Sequence, residues 1–294
     1  MIDFIDVAVG TGGGVACERC HGSAMPATYT RTTELLPVIT QAVADSRTLP
    51  GPNLALTGPE PFGHPDLPTL VVTAVEAGVS RLRIDTDASA LRSQDNAAGV
   101  LAAGVRHFRF SLLGGSAGLH DVLAGAPGAL DATLTGLDVL RGEVRAQGVT
   151  TCLSALVPIC RHNLHDLPAI AAVAVEGGAN AVLLRVDDPG CDLAAAIPWI
   201  TAACDTGVVN GVWAEIEGLP FCLAPDHALH VSDVLRARSG AKAPACRDCR
   251  LDALCGGGPV DASGDLLAVL APPARAGELA VAVSRARGRV GHDA

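Results

Sequence analysis

Six times in succession, a short apolar run of strand length is followed by a longer run with helical spacing. "FIDVAVG" precedes "TELLPVITQAVADS", "NLALTG" precedes "DLPTLVVTAVEAG", and "RLRIDTD" precedes "SQDNAAGVLAAG". "VRHFRFSLLG", "VTTCLSALVP" and "ANAVLLRVD" open the remaining three pairs. This alternation constrains the fold more than any other feature, because parallel strands need crossover connections and a helix is the usual one. The strand runs read as apolar on both faces, the pattern of a sheet covered by helices. Gly78, Gly104, Gly148 and Gly178 stand just before the next strand, where a left-handed helix cap belongs. The expected class is α/β with a parallel sheet, closed or open as a barrel. A doubly wound sheet is the alternative, since strand order is not readable from one sequence. In both, ligands belong at the carboxyl ends of the strands.

The pattern changes after residue 207. "GVWAEIEGLPFCLAP" reads as one more strand leading into a loop, and a cysteine-rich, loop-rich stretch follows. The expected organisation is a (β/α)6 body over 1–207, a cysteine-rich segment over 208–270, and a C-terminal helix and tail over 271–294.

Hydrophobic residues make up 49% of the chain, enough for a sizeable core, and aromatics only 3%, so Ala, Val, Leu and Ile must fill it. The formal charge of −10 repels phosphate backbones and argues against nucleic acid as a partner. The first residues carry Asp3 and Asp6 rather than a basic segment, so neither a signal peptide nor a membrane span is read there. A cytoplasmic protein is expected. Its ten cysteines then point to metal or redox chemistry rather than disulfides.

Cys246, Cys249 and Cys255 form C-x2-C-x5-C, with Cys222 upstream in "LPFC". Four thiolates suit a 4Fe–4S cluster or a structural zinc, and unligated thiols are the bland alternative. Cys152, Cys160, Cys191 and Cys204 fall on or beside predicted elements and read as small core residues. Near the N-terminus, Cys17, Cys20 and His21 form CxxCH in "VACERCHG". Haem attachment needs export and an oxidising compartment, and a thioredoxin-type pair belongs at a helix start rather than in a glycine-rich loop. A metal cluster remains, but two thiols do not hold a 4Fe–4S cube, so a third ligand is required.

Taken in order, these motifs resemble the radical S-adenosylmethionine (radical SAM) superfamily, in the branch with a C-terminal SPASM or twitch-type auxiliary cluster. The resemblance spans about residues 3 to 270. It implies a partial (β/α)6 TIM-like barrel with a small cysteine-rich extension. The family's CxxxCxxC is degenerate here: Cys17 and Cys20 match its last two positions, and Gly13 stands at the first. "LTGPEP" resembles the family's GGEP turn that contacts SAM, with Thr57, Gly58 and Glu60 in place. "DTDA" is similar to its T-N-G strand end, with Asp87 at the Asn position and Ala88 at the Gly. "FSLLGG" is similar to S-L-D-G, keeping Ser111 and carrying Leu113 at the acid. "LVPICRHNLHDL" looks like the segment after the fifth strand, with Asn163. "LPFC…CRDCRLDALCGGGP" resembles the auxiliary-cluster segment.

The resemblance implies an auxiliary 4Fe–4S cluster on Cys222, Cys246, Cys249 and Cys255, with zinc as an alternative. It also implies a first cluster on Cys17 and Cys20 with His21 as substitute ligand, and SAM near Thr57, Gly58, Glu60, Asp87 and Ser111. The substrate is then a peptide or a small-molecule biosynthetic intermediate. The alternative is a catalytically inactive homologue that binds an active partner enzyme or substrate. Taken singly, each residue has a plainer reading. Glu60 between prolines is a solvated turn residue, Ser111 a cap, Asp85 and Asp87 solvated strand-end acids, and His64 and His120 surface histidines.

Overall fold

A computed structural model describes residues 4–12, 26–45, 51–186, 191–232, 242, 244–257, 278–279 and 281–283. The strands are β1 (Ile5–Ala8), β2 (Gly10–Thr11), β3 (Thr28–Tyr29), β4 (Asn53–Thr57), β5 (Arg81–Thr86), β6 (His107–Ser111), β7 (Cys152–Ile159), β8 (Ala181–Val186) and β9 (Trp213–Glu217). The helices are α1 (Thr32–Asp45), α2 (Leu67–Glu76), α3 (Gln94–Ala102), α4 (Ala117–Ala124), α5 (Ala129–Gln147), α6 (Leu167–Glu176) and α7 (Leu193–Val209). Residue 207 lies in the last turn of α7, so the change of pattern in the sequence falls at a helix–strand junction.

Seven strands form one sheet in the order β1-β4-β5-β6-β7-β8-β9, and β2 pairs antiparallel with β3 outside it. The β1–β4, β4–β5, β5–β6 and β6–β7 pairs are parallel. The order follows the chain without reversal. A doubly wound sheet reverses at a switch point, so this order excludes it and matches a progressively wound barrel wall.

Two compact units share the chain: Ile2–Leu156 with Val173–Ala181, and Val157–Ala172 with Val182–Ala294. In the first, Leu54, Leu56, Leu82, Ile84, Phe108, Phe110, Leu153 and Ala155 lie at most 4% exposed. Alternate residues on a strand share a face, so these eight form the helix-covered side. Burying a side chain such as Phe108 contributes about 2–3 kcal/mol, and Phe108→Ala would cost about 3–5 kcal/mol once the cavity is counted. The opposite face corrects the reading of strands apolar on both sides. On β5 and β6 it carries Arg83, Asp85, His107 and Arg109, all half-buried. Asp85 accepts from Arg83 Nε at 2.7 Å and from the Arg109 guanidinium, while Arg83 also reaches Asp6 at 3.2 Å and lies over the Phe4 ring at 4.4 Å. Asp85 is thus a paired inner-wall residue, not a solvated strand-end acid.

The second unit holds β8, α7 and β9. Asp192 caps α7, accepting from the Ala195 amide at 3.2 Å. Arg185 Nε donates to Glu217 at 2.5 Å, pairing the ends of β8 and β9, and Glu217 is 7% exposed. Cys160, Cys191 and Cys204 are buried, as expected of small core residues, and Cys152 is half-buried. Among the described residues, no helix is long and apolar enough to cross a membrane.

Candidate functional site at the carboxyl ends of β4, β5 and β6

The site is built on a turn. β4 ends at Thr57, and Gly58 follows with φ +102°, a left-handed conformation that favours glycine. A Cβ there would also stand 3.1 Å from the Gly10 carbonyl oxygen. Glu60 then starts a 3-10 turn (Pro61–Gly63), its Oε1 accepting from the Phe62 amide at 3.3 Å. Pro61 supplies the fixed φ such a start requires.

The Glu60 carboxylate reaches across to the end of β5. Oε1 accepts from the Thr86 hydroxyl and Oε2 from the Asp87 amide, both at 2.7 Å. Thr86 Oγ1 in turn accepts from the Ala88 amide at 2.9 Å. Asp87 Oδ1 accepts from the Ser89 amide at 2.8 Å, and its carbonyl accepts from the Thr133 hydroxyl at 2.8 Å. Tyr29, on the β2–β3 ribbon, donates its hydroxyl to the Glu60 carbonyl at 3.0 Å. Glu60 is therefore a clasp between two strand ends, held by three donors, and not a solvated turn residue.

Electrostatics follow from this placement. Burial first, and the Asp87 charge second, push the Glu60 pKa from 4.5 to about 7, against the lowering effect of its three hydrogen bonds. Burial also raises the Tyr29 hydroxyl, with smaller contributions from Glu60 and Asp87. Two acids and a phenol at one strand end favour a cationic or hydroxyl-bearing ligand over an anion.

Ala88 has φ +64°, and among the described residues it is the one non-glycine at positive φ. The resemblance puts a Gly at this position, and the backbone here has a glycine conformation without glycine, at a cost of about 1–2 kcal/mol. Gly136 on α5 makes room for it: a Cβ there would lie 2.0 Å from the Ala88 carbonyl oxygen.

Ser111 ends β6. Thr86 is level with Phe110 in the β5–β6 register, so Asp87, one residue on, is level with Ser111. The structure thus brings Thr57, Gly58, Glu60, Asp87 and Ser111 to adjoining strand ends. It also adds Tyr29, Thr86, Thr133 and His120, which the sequence did not single out for the site.

Both histidines read as surface residues are buried, His64 at 4% and His120 at 2% exposure. His64 Nε2 lies 2.9 Å from the Thr30 carbonyl and Nδ1 accepts from the Asp66 amide at 3.1 Å. Those partners assign its proton to Nε2 and give it a structural role tying the β3 exit to the start of α2. Asn163, in the other unit, is also structural: its side chain bonds the Cys160 amide and the Pro158 carbonyl.

Cys17, Cys20 and His21, with Gly13, lie outside the described residues. Cys222, Cys246, Cys249 and Cys255 are half-buried, in or beside short 3-10 turns, with the Cys249 amide bonded to the Cys246 carbonyl at 3.0 Å. Among the described residues, no group of three or more His, Cys, Asp or Glu stands close enough to hold a metal ion.

No family model matches the chain. It is 30% identical over 168 residues to the AdoMet-dependent heme synthase of Methanosarcina barkeri, covering 56% of this chain and 45% of that protein. It is 32% identical over 127 residues to the PqqA peptide cyclase of Ruegeria pomeroyi, covering 43% and 32%. The chain thus spans less than half the length of these curated relatives. Among solved structures, Streptococcus suis SuiB shares the fold with a TM-score of 0.55 at 14% identity, over 76% of this chain and 52% of that one. SuiB is also known bound to S-adenosylmethionine and to its precursor peptide SuiA. The fold is that of a parallel-sheet α/β protein of the partial TIM-barrel kind. Both curated likenesses cover only part of each relative, and the likeness to SuiB is one of fold.

Proposed function

We propose that this chain is an iron–sulfur protein of the radical SAM type that binds S-adenosylmethionine at the ends of β4, β5 and β6 and modifies a peptide. One observation carries the reading. The Glu60 clasp joins the two segments that resemble the family's SAM-contacting turn and its third strand end. These segments are far apart in sequence, and chance resemblance of each would not predict a hydrogen-bonded unit. The acids Glu60 and Asp87 suit the ammonium and sulfonium charges of SAM, and the Ser111 hydroxyl suits its ribose.

Cys17 and Cys20 would hold the first cluster with His21 replacing the missing thiolate. When bound, that cluster would supply the electron that cleaves SAM to methionine and a 5′-deoxyadenosyl radical. Cys222, Cys246, Cys249 and Cys255 would hold an auxiliary 4Fe–4S cluster, with zinc as the alternative. The spacing of these cysteines supports this assignment. A peptide substrate is favoured over a small molecule by the PqqA peptide cyclase likeness and by the SuiB complex with SuiA.

Gly13 favours a second reading, a catalytically inactive homologue that partners an active enzyme or its substrate. Iron and sulfide counts after anaerobic reconstitution, with 5′-deoxyadenosine release from SAM, separate the two. About eight irons and released 5′-deoxyadenosine establish the enzyme; about four irons and no release establish the partner protein. Release gained only in Gly13→Cys marks a lapsed enzyme.

A further inference from the structure

His120 and Asp121 sit side by side on α4, and only one of them is accounted for. Asp121 accepts from the Gly128 amide at 2.6 Å and the Leu130 amide at 3.0 Å, so it caps the start of α5. Those backbone bonds hold its carboxyl below the usual range. His120 is 2% exposed, and neither ring nitrogen makes a hydrogen bond. The Asp121 carboxylate stands 3.9 Å from Nδ1, beyond hydrogen-bond reach.

The backbone of His120 is held in place. The His120 amide donates to the Ser116 carbonyl at 2.8 Å. A Cβ on Gly114 would lie 2.6 Å from the same nitrogen, so the β6–α4 loop fits flush on the first turn of α4. The ring faces the end of β6. Burial pushes its pKa down, while Asp121, the Ser111 carbonyl and Asp87 pull it up. His120 is therefore a buried imidazole with a donor and an acceptor to give, placed among Ser111 and Asp87. Buried polar groups without partners are rare and call for a partner.

We propose that His120 is a ligand-contacting residue of this site, its imidazole exchanging hydrogen bonds with a ribose hydroxyl beside Ser111, directly or through one water. This rests on the S-adenosylmethionine reading above. A hydroxyl fits because it both donates and accepts, as an uncharged imidazole does; an ammonium would meet only the lone pair and a carboxylate only the N–H. Asp87, level with Ser111, then accepts from the neighbouring hydroxyl.

The test uses the full chain labelled with 15N-histidine and S-adenosylhomocysteine as the probe. The His120 ring signals, identified by their loss in His120→Phe, are followed during titration, and affinities are measured by calorimetry. The expected result is a shift of those signals at saturation, about tenfold weaker binding in His120→Phe (about 1.4 kcal/mol) and recovery in His120→Gln. A wild-type chain that binds the probe with unmoved His120 signals overturns the proposal and leaves the cofactor reading intact. A wild-type chain that does not bind the probe at all overturns both. If His120→Phe fails to fold, His120→Gln supplies the identification, and the wild-type titration still decides.

Discussion

Replacing Glu60 with glutamine removes a charge from the clasp and keeps its shape. In the folded chain the Glu60 pKa rises from 4.5 to about 7, so between those values the folded state holds a proton that the unfolded chain releases. Stability from this group is therefore fully present below pH 4.5 and lost as pH rises through 7. At 1.36 kcal/mol per unit, the loss between pH 5 and pH 8 is about 2–3 kcal/mol. The substituted amide would not titrate. Its oxygen can still accept from Thr86, but its NH2 would face the Asp87 amide, leaving that donor unpaired at about 1–3 kcal/mol. Glu60→Gln should thus be destabilised at pH 5 and close to wild type at pH 8. Urea unfolding of both proteins across this range is the assay. Wild-type stability should fall by about 2–3 kcal/mol more than the variant's between the two ends. Parallel pH profiles would refute the reasoning, because they would mean that Glu60 ionises alike in the folded and unfolded chains.

Gly136→Ala should lower stability by about 1–3 kcal/mol, read as a drop in Tm, because the new methyl meets the rigid Ala88 carbonyl. Asp85→Ala should cost about 3 kcal/mol in the same measurement, since it removes the carboxylate that joins two largely enclosed guanidiniums, leaving Arg83 only its longer contact to Asp6. Cys249→Ser should lower iron in the reconstituted chain by up to about four atoms if the C-terminal cysteines hold a cube; unchanged iron removes Cys249 from the ligand set. Cys204, whose thiol is pushed up to about 12 by burial and then by Asp205, should resist alkylation of the folded chain at pH 8 and react once urea exposes it.

The β–α alternation made the sheet and its helices legible, because periodicity reports directly on which residues face a neighbouring layer. Gly148 and Gly178 do cap helices with positive φ, as their places before β7 and β8 implied. The strand order was not legible, since it depends on which edges meet in space. The inner wall escaped for a related reason: Asp85 reads as a solvated strand-end acid until register puts β5 beside β6 and Arg109 within its reach. At the site, the turn at Glu60 was visible and its partners were not. Thr86 and Asp87 lie more than twenty residues away, and Tyr29 lies on the far side of the turn in sequence. The histidines show the limit most plainly. His64 and His120 look alike in sequence, and burial with or without partners separates one from the other.

The small β2–β3 ribbon has a consequence for protein engineering. Gly10 pairs with Tyr29 and Thr11 with Thr28, so the residues that flank Cys17, Cys20 and His21 in sequence stand side by side. The ribbon already imposes loop closure, and each doubling of loop length adds only about 0.6 kcal/mol of closure entropy. A replacement segment of different length, carrying three cysteines in the spacing of the radical SAM motif, is therefore expected to leave the Gly10–Tyr29 and Thr11–Thr28 pairs in place when grafted between Thr11 and Thr28.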